Sequence, residues 1–220
     1  MKPQDLLKKD KTKMTGKLND LKLNVKPEGK IVAIARHGST NSNGDNVFRG
    51  WAETPDNQLT LKGVGDAMKL GDSIKKMVGE GNPDDHVIVS SDLNRATDTA
   101  KTASKVSGVP LGKTYQALRS QDTGDFTGQK EDDVKKQITT LIKNHPDKPL
   151  PGASESHNDF TKRAKDALAP GGMIEKDHPH KKIIVITHHQ VEVGHKNGFT
   201  PSTDEMFAKG LKPGELRKTN

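Results

Sequence analysis

Three short apolar runs, each followed by polar residues, dominate the hydrophobic pattern of the chain. They span residues 31–35, 87–89 and 183–186, and their isoleucine and valine content is typical of buried strands in a parallel sheet. Segments between and around them carry apolar residues at the spacing of helices. Strands that alternate with helices predict an α/β protein, built as a three-layer α/β/α sandwich around a mostly parallel sheet.

The helical spacing predicts four main helices, over residues 61–78, 94–107, 131–144 and 157–169. Thr60 is the expected N-cap of the first helix. Its predicted apolar face is Leu61, Val64, Met68, Ile74 and Val78. Three glycines in the same helix weaken it, which is reasonable if the helix packs closely on its neighbours. A short strand is expected near 113–118, and the last 30 residues predict at most a short edge strand near Leu216.

Charge separates the chain into two parts. The net charge is +7, and residues 1–30 contribute nine lysines against four acidic residues. We therefore predict a basic flexible extension over residues 1–25 and one folded domain over residues 26–220. Such an extension would contact nucleic acid weakly and with a steep salt dependence. The folded domain is nearly neutral, so it is not expected to be a nucleic-acid platform.

Composition excludes several classes of protein. There is no cysteine, which rules out disulfides, thiolate metal sites and cysteine nucleophiles. No stretch approaches the roughly 20 apolar residues of a membrane span. The N-terminus has lysines but no apolar core of a secretory signal. The sequence thus predicts a cytoplasmic protein without membrane contact.

Basic side chains follow each of the three apolar runs. The first run ends at Arg36 and His37, the second leads to Arg95, and the third ends at His188. The carboxyl ends of parallel strands meet at one edge of a sheet, so these side chains are expected to converge there. Arginine binds phosphoryl oxygens in pairs, and histidine can act as a nucleophile. The pattern predicts an anion site, and phosphate is the anion that suits it best.

Several ordered segments resemble the histidine phosphatase superfamily, also called phosphoglycerate mutase-like. Residues 36–43 are similar to its R-H-G-x-T-x-x-N signature, and residues 90–100 to its S-S-D-L-x-R-A-x-x-T-A segment. The other matching stretches are 48–51, 59–63, 154–156 with Arg163, and 187–188. The resemblance runs from about Lys30 to His189 and implies the α/β fold already predicted.

The resemblance also implies roles for individual residues. His37 would be phosphorylated on a ring nitrogen and then hydrolysed. Arg36, Arg95 and His188 would hold the phosphoryl group, while Asn43 and Arg49 would line the substrate site. The expected activity is a metal-independent phosphatase acting on a small phosphorylated substrate, with neither cofactor nor metal.

Two departures from the family pattern affect the mechanism. The family's L-R-E segment, whose glutamate is the acid, is here Leu118-Arg119-Ser120. Serine cannot protonate a leaving group at neutral pH. We predict Asp122 as the substitute acid, because in an extended segment it shares a face with Ser120, and Asp125 as the second choice. His189 replaces the glycine that usually follows the second histidine, and it either narrows the pocket or faces outward.

The sequence is also compatible with other functions. One is a catalytically impaired relative that binds phosphate or a phosphoprotein, and another is a phosphoglycerate-type mutase. Clustered histidines between residues 178 and 195 suggest a metal hydrolase, although their spacing matches no ligand motif. An aspartate near the acid position is a feature that we associate with bacteriophage relatives. A phage-encoded member would act in the host cytoplasm or the virion.

Overall fold

The computed structural model describes residues 29–199 and 207–219. The predicted extension over residues 1–25 lies outside the described residues. Within them, no helix is both long enough and apolar enough to cross a membrane.

Five described strands form one mixed sheet. Their order across the sheet is β3-β2-β4-β1-β5. The first four are parallel, and β5 runs antiparallel to β1. The strands are β1 (Lys30–Arg36), β2 (His86–Ser91), β3 (Leu111–Tyr115), β4 (Lys182–Thr187) and β5 (Leu216–Lys218). The predicted mostly parallel sheet is confirmed, and β5 is the predicted edge strand.

Helices cover both faces of this sheet. On one face, α2 and α3 pack Leu70, Ile74, Ala100 and Ala103 against alternate strand residues such as Ile184. On the other face, α5, α6 and α7 pack against a second buried cluster that contains Ile183. The described helices are α1 (Asn41–Gly44), α2 (Leu61–Val78), α3 (Asn94–Ser107), α4 (Glu131–Asn144), α5 (His157–Leu168), α6 (Met173–Asp177) and α7 (His189–Asn197). The architecture is therefore the predicted three-layer sandwich.

Register brings the ends of the three central strands level. Arg36 of β1 lies opposite Thr187 of β4, and Ser90 of β2 lies opposite Ile186. The backbone N–H of His37 then donates to the Thr187 carbonyl oxygen at 3.0 Å. Residues that follow these three strands consequently start from one edge of the sheet, as the sequence predicted.

The predicted apolar face of α2 is wrong in its first half. Leu61 is 94% exposed, and Val64 and Met68 are also exposed. Ile74 is buried as predicted, and the other buried positions of the helix are Gly63, Ala67, Leu70 and Gly71. Close approach explains the difference, because a Cβ at Gly71 would collide with the Val106 side chain of α3. Glycine and alanine thus form the contact face that hydrophobicity alone assigned to larger residues.

Further differences concern boundaries and missed helices. The third strand is Leu111–Tyr115, and the residues predicted to continue it form a 3₁₀ turn, Gln116–Leu118. Helices α1, α6 and α7 were not predicted, because their sequences are short and polar. Tertiary contacts of Ile174 and Val191 with the sheet stabilise α6 and α7.

Candidate active site

A cavity of about 290 Å³ opens at the carboxyl edge of the sheet. Three arginines line it, Arg36, Arg49 and Arg95, together with His188 and His189. Asn43, which the resemblance assigned to the substrate site, also lines it. The structure therefore brings together most of the predicted site residues.

His37 lies against His188 beside this cavity. The two ring centroids are 5.2 Å apart, and His37 is only 1% exposed. Its Nδ1 lies 2.8 Å from the Gly38 carbonyl oxygen. A carbonyl can only accept, so Nδ1 carries the proton and Nε2 keeps its lone pair. Burial lowers the pKa of His37 well below its ordinary value, and the charges of Arg49, Arg95 and Arg36 lower it further. His37 is thus a neutral imidazole at neutral pH, the form required of a nucleophile.

The turn after β1 is fixed by contacts with α2 and α3. The Gly38 N–H donates to Thr99 Oγ1 at 3.0 Å, and that hydroxyl donates to the Arg95 carbonyl oxygen at 2.6 Å. A Cβ at Gly38 would collide with the carbonyl of Gly63, so the turn requires glycine. This chain of bonds joins the backbone beside His37 to the first turn of α3, which carries Arg95.

The arginines are held by one or two contacts each. Arg95 donates to the Gly50 carbonyl oxygen at 3.0 Å, and Arg36 to the Leu211 carbonyl oxygen at 3.0 Å. Arg49 Nη1 lies 3.2 Å from Thr40 Oγ1. Burial lowers the pKa of Arg95 to about 10. Burial together with the charges of Arg95 and Arg36 lowers that of Arg49 to about 9. Both remain charged at pH 7.

His188 can present a proton donor to the cavity. Its Nε2 lies 2.9 Å from Ser91 Oγ, and that hydroxyl already accepts from the Leu93 N–H at 3.4 Å. The Ser91 hydroxyl can donate to Nε2, and in that arrangement the proton of a neutral His188 lies on Nδ1. Burial lowers the pKa of His188 well below its ordinary value, with Arg95 the largest of the charges that add to the effect.

Unpaired buried nitrogens are concentrated in this cavity. Among the described side chains, eight buried nitrogen atoms have no hydrogen-bond partner. Six of them belong to cavity-lining residues: Arg36 Nε, Arg95 Nε, Arg95 Nη1, Gln121 Nε2, His188 Nδ1 and His189 Nδ1. Buried polar atoms are normally paired, and the arginine and amide nitrogens of this group are donors. Their position among three cations indicates a site for an anion with several acceptor oxygens.

Asn43 and His189 both line the cavity, and Asn43 also forms hydrogen bonds with a neighbouring residue. Asn43 Oδ1 accepts from the N–H and the hydroxyl of Thr40, at 3.0 Å each. Since Thr40 also contacts Arg49, Asn43 helps to position that arginine. His189 lines the cavity rather than facing outward, and burial together with the Arg36 charge lowers its pKa to about 4.

Ser120 lies at the cavity wall, at the position where the family pattern has glutamate. Its carbonyl oxygen accepts from Trp51 Nε1 at 2.7 Å and from Arg163 Nη2 at 3.0 Å. The guanidinium of Arg119 lies over the Trp51 ring, 4.8 Å from its centroid, and pairs with Asp92 at 2.7 Å. The backbone of the acid position is therefore firmly held, although its side chain is a hydroxyl.

The predicted substitute acids are not brought into the cavity. Asp122 Oδ2 accepts from the N–H and hydroxyl of Ser154, at 2.8 Å each, and Oδ1 accepts from the Gly124 N–H at 3.1 Å. Burial raises the pKa of Asp122, but these hydrogen bonds outweigh it and leave the pKa below its ordinary value. Asp125 lies against Gly152, also outside the cavity lining. Ser120 and Gln121 line the cavity and Asp122 does not, so Ser120 and Asp122 do not present a shared face to the cavity. This placement argues against Asp122 as the proton donor.

Several cavity residues were not predicted from the sequence, and Gln121 and Glu131 are two of them. Gln121 is fully buried, and Glu131 is the one carboxylate among the described lining residues. Neither lies in a matching family segment, and the pattern marked Glu131 only as the start of a helix. Among the described residues, no group of three or more histidine, aspartate or glutamate side chains is placed to hold a metal ion.

Comparison with known proteins agrees with this geometry. A model of the histidine phosphatase superfamily, branch 1, matches residues 32–192. The chain is 29% identical over 174 residues to a metal-independent phosphoserine phosphatase of Arabidopsis thaliana, covering 74% of this chain and 67% of that protein. It is 34% identical over 151 residues to a 2,3-bisphosphoglycerate-dependent phosphoglycerate mutase of Rhodopseudomonas palustris. That match covers 67% of this chain and 62% of the mutase, less than two thirds of its length.

Solved structures show the same fold. A mycobacterial glucosyl-3-phosphoglycerate phosphatase, solved with VO3, superposes with a TM-score of 0.60 at 21% identity, over 84% of this chain and 88% of that one. The α-ribazole phosphatase of Shigella flexneri gives a TM-score of 0.61 at 22% identity, over 84% and 87% of the two chains. The family match over residues 32–192, which is more than half of the chain, establishes that the chain belongs to branch 1 of the histidine phosphatase superfamily.

Proposed function

We propose that this protein is a metal-independent phosphatase that hydrolyses a small phosphomonoester through a phosphohistidine intermediate. The observation that carries the proposal is the state of His37: a buried, neutral ring with its Nε2 lone pair free, under the charges of three arginines. This combination suits attack on a phosphoryl group, because the nucleophile needs a lone pair and the phosphoryl oxygens need positive charge.

The reaction would proceed in two displacements. His37 Nε2 forms a bond to phosphorus while the bond from phosphorus to the ester oxygen breaks, and that oxygen takes up a proton from solvent water as the alcohol leaves. Water then attacks the phosphohistidine, which releases inorganic phosphate and restores Nε2. Arg36, Arg95 and the Nδ1 proton of His188 would bind the phosphoryl oxygens throughout both steps. In this proposal the cations are side chains, so the chemistry requires no metal ion.

The short polar connection between Gly128 and Pro151 favours phosphatase activity over mutase activity. It contains only α4 and short turns, and leaves little cover with which to retain a phosphorylated intermediate while it reorients. The name of the Arabidopsis relative, a metal-independent phosphoserine phosphatase, supports the same choice. A cavity of about 290 Å³ suits a small ester.

A binding relative with impaired catalysis is the second candidate, because Ser120 stands where family members have glutamate and Asp122 contacts Ser154 instead of the cavity. In that case the site would bind phosphate without rapid turnover. The phage origin, the cytoplasmic location and the weak nucleic-acid contact of residues 1–25 stay predictions.

Hydrolysis of p-nitrophenyl phosphate in EDTA tests the proposal directly. We expect wild type to turn over without added metal and His37→Ala to lose activity. We expect Asp122→Asn to keep its activity within about twofold, both with p-nitrophenyl phosphate and with an alkyl phosphate, whose leaving oxygen needs a proton. A brief reaction with ³²P-labelled ester, quenched in alkali, should trap acid-labile label on wild type and none on His37→Ala.

The outcomes separate the candidates. Transfer of label to a second phosphate ester in place of water would identify a mutase. A wild type that binds inorganic phosphate but hydrolyses no member of a panel of esters would identify a binding relative. Loss of activity in Asp122→Asn would restore Asp122 as the acid.

A further inference from the structure

Besides the arginines, the cavity wall contains an apolar surface and an acidic side chain. Phe48 and Phe207 meet edge to face, with ring centroids 6.2 Å apart, and Val47 and Ala208 extend this apolar surface. Glu131 is the one acidic side chain among the described residues of the lining. Glu131 thus introduces a negative charge into a cavity that is lined by three arginines, and this charge is unfavourable for binding a second anionic group beside it.

Backbone pairing holds Glu131 at this wall. The Glu131 N–H donates to the Asn46 carbonyl oxygen at 2.8 Å, and the Phe48 N–H donates to the Gln129 carbonyl oxygen at 3.0 Å. Between them, Val47 and Lys130 form an antiparallel bridge. The segment that carries Arg49 and the start of α4 are thus bound to each other, so Glu131 keeps a defined place relative to the arginines.

The Glu131 carboxylate has no hydrogen bond or salt bridge with any described side chain or N–H. Burial is the main influence on its pKa and raises it, while the charges of Lys135 and Arg49 lower it. Its neighbours Asp132 and Asp133 are exposed and do not line the cavity, so the first turn of α4 supplies matched acidic positions outside the site.

We propose that Glu131 selects phosphate esters whose leaving group carries an ammonium group, and disfavours those that carry a carboxylate. The inference rests on the proposed function, since it assigns the arginine end of the cavity to the phosphoryl group. The two ends then match the two charges of one substrate: arginines bind the phosphate, Glu131 pairs with the ammonium group, and the two phenylalanines pack against the carbon chain between them. Specificity arises from repulsion as well as attraction, because Glu131 opposes a carboxylate at the same position.

Binding of a matched pair of phosphonates tests the inference without turnover. The probes are 3-aminopropylphosphonate and 3-phosphonopropionate, which have a similar chain length and end in an ammonium and a carboxylate. Dissociation constants would be measured by calorimetry at pH 7 for wild type, Glu131→Gln and the control Asp132→Asn. We expect wild type to prefer the aminophosphonate by about tenfold, Glu131→Gln to reduce the preference by about 5- to 10-fold, and Asp132→Asn to change it less than twofold.

Three results would overturn the inference: no change of the ratio in Glu131→Gln, an equal change in Asp132→Asn, or a wild type that prefers the carboxylate. The affinity for inorganic phosphate reports whether Glu131→Gln keeps its fold and its arginine end. Hydrolysis of p-nitrophenyl phosphate by the same preparations reports the proposed function separately. A preference for the aminophosphonate without hydrolysis would uphold the inference and refute the catalytic proposal alone.

Discussion

Arg49 is expected to reduce the stability of the unliganded protein. Burial and the charges of Arg95 and Arg36 lower the pKa of Arg49 from 12.5 to about 9. One step in pKa corresponds to about 1.4 kcal/mol, so keeping this guanidinium charged in the folded state costs at most about 5 kcal/mol. Water reaches part of the side chain and screens its charge, and the variant loses the contact with Thr40. We therefore expect Arg49→Met to stabilise the free protein by only about 1–2 kcal/mol.

The sign of the pH dependence follows from the lowered pKa. Below pH 9 Arg49 is charged in both the folded and the unfolded state, so the full penalty is present at pH 7. As the pH rises above 9, the folded protein releases the proton before the unfolded chain does, and the penalty falls. The stability advantage of Arg49→Met is thus largest near neutrality and decreases at pH 9–10.

Thermal denaturation in a phosphate-free buffer measures this effect, with exposed Lys69→Met as the control for loss of a cation outside the site. At pH 7 we expect the free variant to melt about 2–8 °C above wild type. Inorganic phosphate should stabilise wild type far more than the variant, because one of three arginines is missing. A free Arg49→Met protein less stable than wild type, or one that phosphate stabilises equally, would refute the reasoning.

Two further substitutions test the acid position and the turn after β1. Ser120→Glu places a carboxylate at the firmly held cavity wall, and we expect it to hydrolyse alkyl phosphates at least about tenfold faster than wild type. The gain with p-nitrophenyl phosphate should be smaller, because its leaving oxygen needs little protonation. Ser120→Gln is the control, and an equal gain in that variant would contradict the explanation. Thr99→Val leaves the buried Gly38 N–H without a partner and should cost about 1–3 kcal/mol in the free energy of unfolding, together with lower turnover. Thr99→Ser keeps the hydroxyl and should behave as wild type in the same denaturation and kinetic measurements.

The sheet and the convergence of basic side chains at its edge could be predicted because they follow from local patterns. Apolar runs that end in Arg36-His37 and His188 define both the strands and the side chains at their ends. The substitute acid could not be predicted in the same way. Asp122 was placed by assuming an extended segment, whereas a hydrogen bond with Ser154, 32 residues away, decides where its carboxylate points.

Long-range packing also explains the other differences. The exposed Leu61 and the buried Gly71 reverse the usual order of hydrophobic burial, because α2 approaches α3 too closely for large side chains. Glu131 looks like an ordinary helix-start residue until the pairing of residues 46–48 with 129–131 places it at the cavity. Such contacts join distant parts of the chain, and no local spacing encodes them.

The strand that leads to His37 depends on β5 for its outer neighbour. Only three residue pairs join β5 to β1, and without them the backbone groups of β1 would be an open edge able to pair with another molecule. The same C-terminal segment supplies the Leu211 carbonyl that holds Arg36. A phosphate bound by Arg36 would therefore favour the state in which β5 is docked. Phosphate binding would in this way also keep the edge of β1 covered and reduce its pairing with other molecules.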